Sequence, residues 1–442
     1  MGKRMNKKKI AAAVSLATVL MGTTLGCGGE GGGTTEGQAG EGKKPYEGVA
    51  LRLVGANHPW TESIKPLIPE FEKETGMTVN LEQYFEDQLT QKITVEFTSG
   101  SQSIDVFMIR PLQEGKQFVQ NGWVATLDKA SSDQEWDLND FTKSSIGSLQ
   151  TSDQKLFGVP VVTEREILYY RKDLFEQHNL QPPQTLEEMM EIAKKLHDPS
   201  NEFYGFVSRG QRSPAVTQFS SFLYAMGGDF MQDGQATLNT PEAIEAFQYY
   251  GDMLKDYGPP GVLNMSWPQA AGVFAQGKVA MYTDADSVFP NMTDPSKSEV
   301  SDKVGFAVFP AGPKGQHPYN VTSWGLAINA KSKQQDAAWE FIRWATSKEI
   351  TAKVQAEGNP GPRQSVWETE EGKQAFPDGL VDVINQSNEI GKSYDRPLII
   401  NVGQARDAIG SIIVKAITGE DVAKAAEEAN KQFQELLDKE SK

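Results

Sequence analysis

The chain has little with which to run a reaction. It holds one cysteine, Cys27, in 442 residues, so no internal disulfide can form. Its four histidines, His58, His178, His197 and His317, are not spaced as a metal pair. HExxH and GxSxG are absent, which removes two common hydrolase signatures. Gly272-Val-Phe-Ala-Gln-Gly277-Lys278-Val279 approaches a phosphate-binding loop. Val279 stands where a hydroxyl must hold magnesium, however, and the stretch before Gly277 reads as helix. No catalytic residue, metal or cofactor is called for. Past the N-terminal segment, no apolar run is long enough to cross a bilayer. Positive charge is scarce too. Five of the 43 basic residues lie before Cys27, leaving 38 against 59 acidic ones, a formal charge of −21. That excludes the basic footprint of a nucleic-acid binder and argues against adhesion to anionic lipid.

What is present begins with export. Lys3, Arg4, Lys7, Lys8 and Lys9 form a basic start, and Ile10 to Met21 an apolar segment of signal-peptide length. Thr24-Leu25-Gly26-Cys27 then resembles a bacterial lipobox, in which a peptidase cuts before the cysteine and its sulfur carries a lipid. Thr24 is a departure, since that motif usually has an aliphatic there. The bland alternative is an ordinary secretory signal with a stray cysteine. Residues 1–26 are thus expected to be a lipoprotein signal peptide. Residues 27–44, with eight glycines between Gly28 and Lys44, are expected to be a flexible tether behind a lipid at Cys27. The protein would face outward from the cell membrane, outside the cytoplasm.

The remaining chain of about 400 residues exceeds one usual core, so two domains or lobes are expected. Strands and helices alternate: a strand at Ala50–Val54, a helix with Ile64, Leu67, Ile68 and Phe71 on one face, a strand at Met77–Leu81, a helix at Phe85–Phe97, a strand at Ile104–Ile109. This rhythm predicts βαβ units and a mostly parallel sheet. Thr185 and Thr240 are placed to cap helices. Gly227-Gly228 and Gly258-Pro259-Pro260 are placed to stop them. One stretch stands out. Leu156 to Val162 and Ile167 to Tyr170 read as two short strands around a polar insert, Thr163-Glu164-Arg165-Glu166. Three charges between buried-type strands need either a surface turn or a cleft that meets a ligand.

At Gly158-Val-Pro…Tyr170-Arg-Lys-Asp-Leu-Phe175, followed by Pro182-Pro183-Gln-Thr185, the chain resembles the extracellular solute-binding family that includes maltose-binding protein. Further matching stretches are Ala225-Met-Gly-Gly228, Phe274-Ala-Gln-Gly-Lys-Val-Ala-Met281, and Ser323-Trp-Gly-Leu-Ala-Ile328 with Ala337-Ala-Trp-Glu-Phe-Ile342. Asp252-Met-Leu-Lys-Asp-Tyr-Gly-Pro-Pro-Gly261 and Trp344-Ala-Thr-Ser-Lys348 are most similar to the sorbitol- and mannitol-binding branch. The resemblance implies an α/β, periplasmic-binding-protein-like fold of two lobes joined by a hinge with interchanged strands. Lobe 1 would comprise 45–157 plus 304–367, and lobe 2 158–303 plus 368–442. It implies a carbohydrate or polyol as ligand, the permease subunits of an ABC transporter as partner, and a monomer.

A neutral polyhydroxy ligand needs aromatic faces for its C–H surfaces and charged groups for its hydroxyls. Strand ends supply these in α/β sheets. Trp60 follows the first strand, or it staples its helix to the core. Glu82 and Tyr84 follow the second strand, or sit in a solvated turn. Arg110 ends an apolar strand directly before Pro111 and suits a cleft. Glu164 lies where the family commonly supplies a carboxylate, with Arg165 beside it either pairing with it or touching ligand. Arg209 closes the strand Tyr204–Val207, and Gln218 lies on the next helix. Trp267 either faces ligand or only starts a helix. Alternation puts Asp284 and Asp286 on one face after the strand Lys278–Thr283. Trp324 opens a strand where the family brings a side chain near ligand. Arg363 is a loop guanidinium with a cleft or a surface role. Gln404 and Arg406 enter a late helix that could cover the cleft. Trp123, Trp339 and Trp344 read as core.

The first functional reading is therefore a lipid-anchored sugar or polyol receptor for an ABC importer, and not an enzyme. A glycosidase is the alternative, though carboxylates are too numerous for any pair to be diagnostic. A receptor for an anionic solute such as glycerol phosphate is a third reading, for which Arg110, Arg165, Arg209 and Arg363 would be suited.

Overall fold

The structure is a computed structural model that describes residue 44 and residues 46–440 other than Ser152. The expected signal peptide, the lipobox with Cys27 and nearly all of the tether lie outside the described residues. Among the described residues no helix is long and apolar enough to cross a membrane.

Among the described residues ten strands form: β1 (Ala50–Ala56), β2 (Thr78–Tyr84), β3 (Val106–Ile109), β4 (Val159–Arg171), β5 (Tyr204–Val207), β6 (Met231–Gln232), β7 (Gln235–Ala236), β8 (Val279–Ala285), β9 (Val304–Val308) and β10 (Asn320–Ile328). β6 and β7 make a small hairpin. The others form one sheet in the order β2-β1-β3-β10-β4-β8-β5, with β9 pairing β4. β1 runs parallel to β2 and β3, and β5 parallel to β8. β10 and β4 run antiparallel to their neighbours.

β4 is the spine of this arrangement. The polar insert does not break it into two short strands; it is one strand of 13 residues. Its first half pairs with β10, Val159 opposite Leu326 through Arg165 opposite Asn320. Its second half pairs with β8 and β9. Pro160 has no N–H to give the ladder, and it faces Gly325 where the pairing with β10 is irregular. Thr163 to Glu166 is where the strand passes from one half of the protein to the other.

Each half has its own core. One cluster joins Leu51, Val54, Phe71, Phe107 and Ile109 with Val159, Val162, Trp324 and Leu326. Trp123, Trp339 and Trp344 pack there as expected. A second cluster surrounds the helix Ala215–Met226, all of whose residues are buried. Phe219 in that helix stacks on Phe247 with ring centroids 4.1 Å apart. A third cluster groups Ile167, Tyr169, Val279, Tyr282 and Val304. β9, expected in the first lobe, therefore packs in the second half: Val304–Val308 lies opposite Arg171–Ile167. The chain returns to the first half only along β10.

The local signals explain the helices. Thr185 Oγ1 accepts from Glu188 N at 3.1 Å and Thr240 Oγ1 from Ala243 N at 3.3 Å, so both are N-caps. Gly227 ends its helix at φ +90°, a left-handed conformation that glycine adopts without steric cost.

Candidate functional site

The C-terminal ends of the parallel strands carry polar residues toward the seam between the halves, as open α/β sheets do. From the first half come His58 after β1 and Arg110 after β3. Trp324 on β10 lies between them. Its ring is 5.7 Å from the His58 ring, and the Arg110 guanidinium sits 5.7 Å over its face. Both neighbours are held in place. His58 Nδ1 accepts from Trp60 N at 3.1 Å, and burial lowers the imidazole pKa to about 4, so the ring is neutral at pH 7. Arg110 donates from Nε to Glu114 at 2.9 Å and from Nη2 to Thr90 at 2.8 Å, and pairs with Glu86 at 3.1 Å. The result is an aromatic face with a cation across it.

The second half is more polar. Arg209, after β5, makes a two-point ion pair with the fully buried Asp284 on β8. Asp284 also accepts from Gln218 Nε2 at 3.1 Å, Tyr282 OH at 2.7 Å and Ala285 N at 2.8 Å. A carboxylate has about four lone-pair positions. Asp284 is thus occupied by Arg209, Gln218, Tyr282 and Ala285, and, contrary to the expectation that it takes a ligand hydroxyl, it leaves no oxygen free for one. Arg209 Nη1 has no hydrogen-bond partner among the described residues and is the atom the pair leaves available.

Glu164 and Glu166 share the opposite side of the same pairing, two residues apart on β4. Glu164 accepts from Ser287 Oγ at 2.7 Å. Burial, with the charges of Asp286 and Asp284 added to it, raises its pKa to about 7 against the pull of Ser287 and Arg209. Glu166 is fully buried, and neither of its oxygens has a hydrogen-bond partner. Burial pushes its pKa well above the usual carboxyl range, which favours the protonated form. Gln218 Oε1 is likewise buried without a partner.

Several expected residues stand elsewhere. Arg165 and Asp286 are fully buried and bonded to each other at 2.9 Å. Arg165 also donates to Asn388 at 2.7 Å and Thr163 Oγ1 at 2.8 Å. Alternation along β4 turns Arg165 away from the Glu164 face. Asp286 escapes the predicted alternation with Asp284 because β8 ends at Ala285 and Asp286 opens a 3₁₀ turn. Arg363 is fully buried in the first half, donating to Thr346 O, Trp136 O and Asp140 and lying 4.1 Å over Phe141. Trp60, 2% exposed, is core. Glu82 and Tyr84 join Arg52 in a separate network, with Arg52–Glu82 at 2.6 Å and Tyr84 OH to Glu82 at 2.8 Å. Trp267 is 38% exposed at the start of its helix, where Ser266 and Gln269 form a capping box.

Sequence reasoning passed over Glu166 and Arg396 and gave Gln218 and Arg406 only a marginal place. Glu166 was legible as an acid inside a strand core. Arg396 lies in an irregular loop, and nothing local marks it.

This two-part α/β sheet, with strands crossing twice between separate cores and charged groups gathered at the crossing, is the architecture of a clamshell binding protein. The match to the family model for bacterial extracellular solute-binding proteins spans residues 57–352, and the chain belongs to that family. It is 28% identical over 390 residues to an erythritol/L-threitol-binding protein of Mycolicibacterium smegmatis, covering 81% of this chain and 80% of that one. It is 30% identical over 292 residues to a mannitol-binding protein of Pseudomonas aeruginosa, covering 64% and 66%. A crystal structure of a solute-binding protein from Agrobacterium radiobacter in complex with ribitol superposes with a TM-score of 0.79 at 32% identity, covering 89% of this chain and all of that one.

Proposed function

We propose that this protein is the extracytoplasmic receptor of an ABC importer, which captures a sugar or polyol between its two halves and delivers it to a membrane permease. The halves are the lobes of the clamshell, divided where β4 and β10 cross between the cores, and they close on ligand by a hinge in those strands. A lipid at Cys27 and the glycine-rich tether hold the receptor outward at the membrane.

One observation carries the ligand class. The groups left without a partner around the seam are of both kinds: Arg209 Nη1 is a donor outside its pair with Asp284, and Gln218 Oε1 is an acceptor, with the Glu166 carboxyl beside them. A hydroxyl both donates and accepts, so a polyhydroxy chain meets such a mixture. The Trp324 face suits its C–H edges. The relatives that bind erythritol, threitol and mannitol and the structure that holds ribitol support the same reading. The anionic-solute alternative loses Arg165 and Arg363, both enclosed by protein partners. The glycosidase alternative loses Asp284, whose oxygens are all engaged.

Isothermal titration of folded protein against sugars and alditols is the test. Saturable, equimolar binding of at least one of them, with no turnover, is expected. Silence across the whole panel overturns the proposal.

A further inference from the structure

The segment after the helix Leu380–Ile390 crosses the seam, and its side chains differ from the rest of the site. Arg396 belongs to the second half, where its Nη2 reaches Thr217 Oγ1 at 3.3 Å and it pairs with the buried Asp395. Its Nη1 donates at 3.0 Å to Gln113, which follows β3 in the first half. Arg406, in the next helix (Val402–Thr418), donates to Ser213 O at 2.9 Å, to Thr217 Oγ1 at 3.2 Å and to the same Gln113 at 3.4 Å. Close to the surface, Lys116 of the first half donates to Leu398 O at 3.1 Å and pairs with Glu440. Together these contacts span the seam on one side.

Arg406 is the odd member. Its Nε is buried and has no hydrogen-bond partner. Burial and the nearby guanidiniums of Arg396, Arg209 and Arg110 work against its charge, and only Asp395 favours it. A buried unpaired donor costs about 1–3 kcal/mol, so a group is expected to meet it in the working protein. The helix that carries it is pressed into place. A Cβ at Gly410 would lie 2.0 Å from the Arg212 carbonyl oxygen, so only glycine lets the helix approach the loop between Arg209 and Ser213.

We propose that the segment 395–406 is the specificity element of this receptor. Arg406 Nε takes an end oxygen of a monomeric polyhydroxy ligand, and the Arg396–Gln113 and Lys116–Leu398 bridges end the cleft there, so that oligosaccharides are excluded. The inference rests on the sugar or polyol reading above and narrows it. A chain long enough to reach Arg406 gains its hydrogen bond, and a shorter one does not. The planar guanidinium also presents Nε in a fixed direction, which a lysine ammonium does not reproduce.

The test is titration of the full chain with erythritol, ribitol, mannitol and maltotriose, with thermal melting in parallel. The wild type is expected to bind at least one alditol and not maltotriose. Arg406→Lys, which keeps the charge, is expected to weaken the tightest alditol by tenfold or more, with a larger loss for a long alditol than for erythritol. Arg406→Gln, which removes the charge, serves if the lysine variant does not fold. The double variant Arg396→Ala, Lys116→Ala is expected to gain measurable maltotriose binding. Alditol affinities unchanged within twofold in the Arg406 variant, or reduced equally at every chain length, overturn the role of Arg406. A folded double variant that still ignores maltotriose overturns the end wall. A wild type silent to every alditol and sugar fails at the earlier step, and both proposals fall with it.

Discussion

Two arginine–aspartate pairs lie near the seam, and they have different fates. Arg165–Asp286 is fully buried on both sides, at 2.9 Å, with Asn388 and Thr163 taking the other guanidinium donors. Arg209–Asp284 has an equally buried acid, but its arginine stays 14% exposed and keeps Nη1 unspent. Residue type and partner are the same in both. What separates the enclosed pair from the one proposed to bind is how many hydrogen-bonding groups remain unused.

Substitutions can break that comparison. The largest effect is expected from Arg165→Ala, which leaves Asp286 buried and unpaired. It should lower the unfolding free energy by about 3–5 kcal/mol, read from urea denaturation. A loss under about 1 kcal/mol would mean that Asp286 simply protonates and that the pair is not structural. Arg209→Lys should act in the opposite sense. The two-point geometry is lost while the charge stays, so alditol affinity should fall by tenfold or more, about 1.4 kcal/mol, with a smaller change in melting temperature. A variant that loses stability but keeps its affinity would make both pairs structural.

Trp324→Phe tests the first half of the seam. It keeps an aromatic face but shrinks it, and affinity should fall by about 0.5–1.5 kcal/mol, read by titration. The smallest effect concerns pH. Glu164 has a folded pKa of about 7, above the ordinary carboxyl value. The folded state therefore holds a proton that the unfolded chain has already released, and stability should decline as pH rises from about 4.5 to 7 and then level off. In Glu164→Gln, melting temperatures between pH 4.5 and 7 should lose part of that slope. A slope identical to the wild type would place the proton elsewhere, with Glu166 the first candidate.

The fold was largely legible because its signals are local. Apolar runs marked β1, β3, β5 and β8, and Thr185 and Thr240 announced their helices. β9 was assigned to the wrong half because a five-residue apolar strand fits either half, and only its pairing with Tyr169 and Tyr170 decides. The site was legible in part. Strand ends adjacent to charge pointed to Arg110, Trp324, Arg209 and Glu164, which stand at the seam. Arg165 and Arg363 were also candidates, from a polar insert and a loop, and both are enclosed. Their partners, Asp286 at a distance of 121 residues and Asp140 at 223, cannot be read from their neighbours.

From the order of its residues alone, this chain declares alternating strands and helices, an excess of negative charge and a charged insert inside a buried strand, because propensity, period and solvation act within a few residues. Which half each strand joins, which arginine is enclosed and which keeps an unused donor were settled only when segments hundreds of residues apart came together. Hydrogen-bonding capacity is shared among whatever neighbours the packed core supplies, and no single stretch of sequence contains that division.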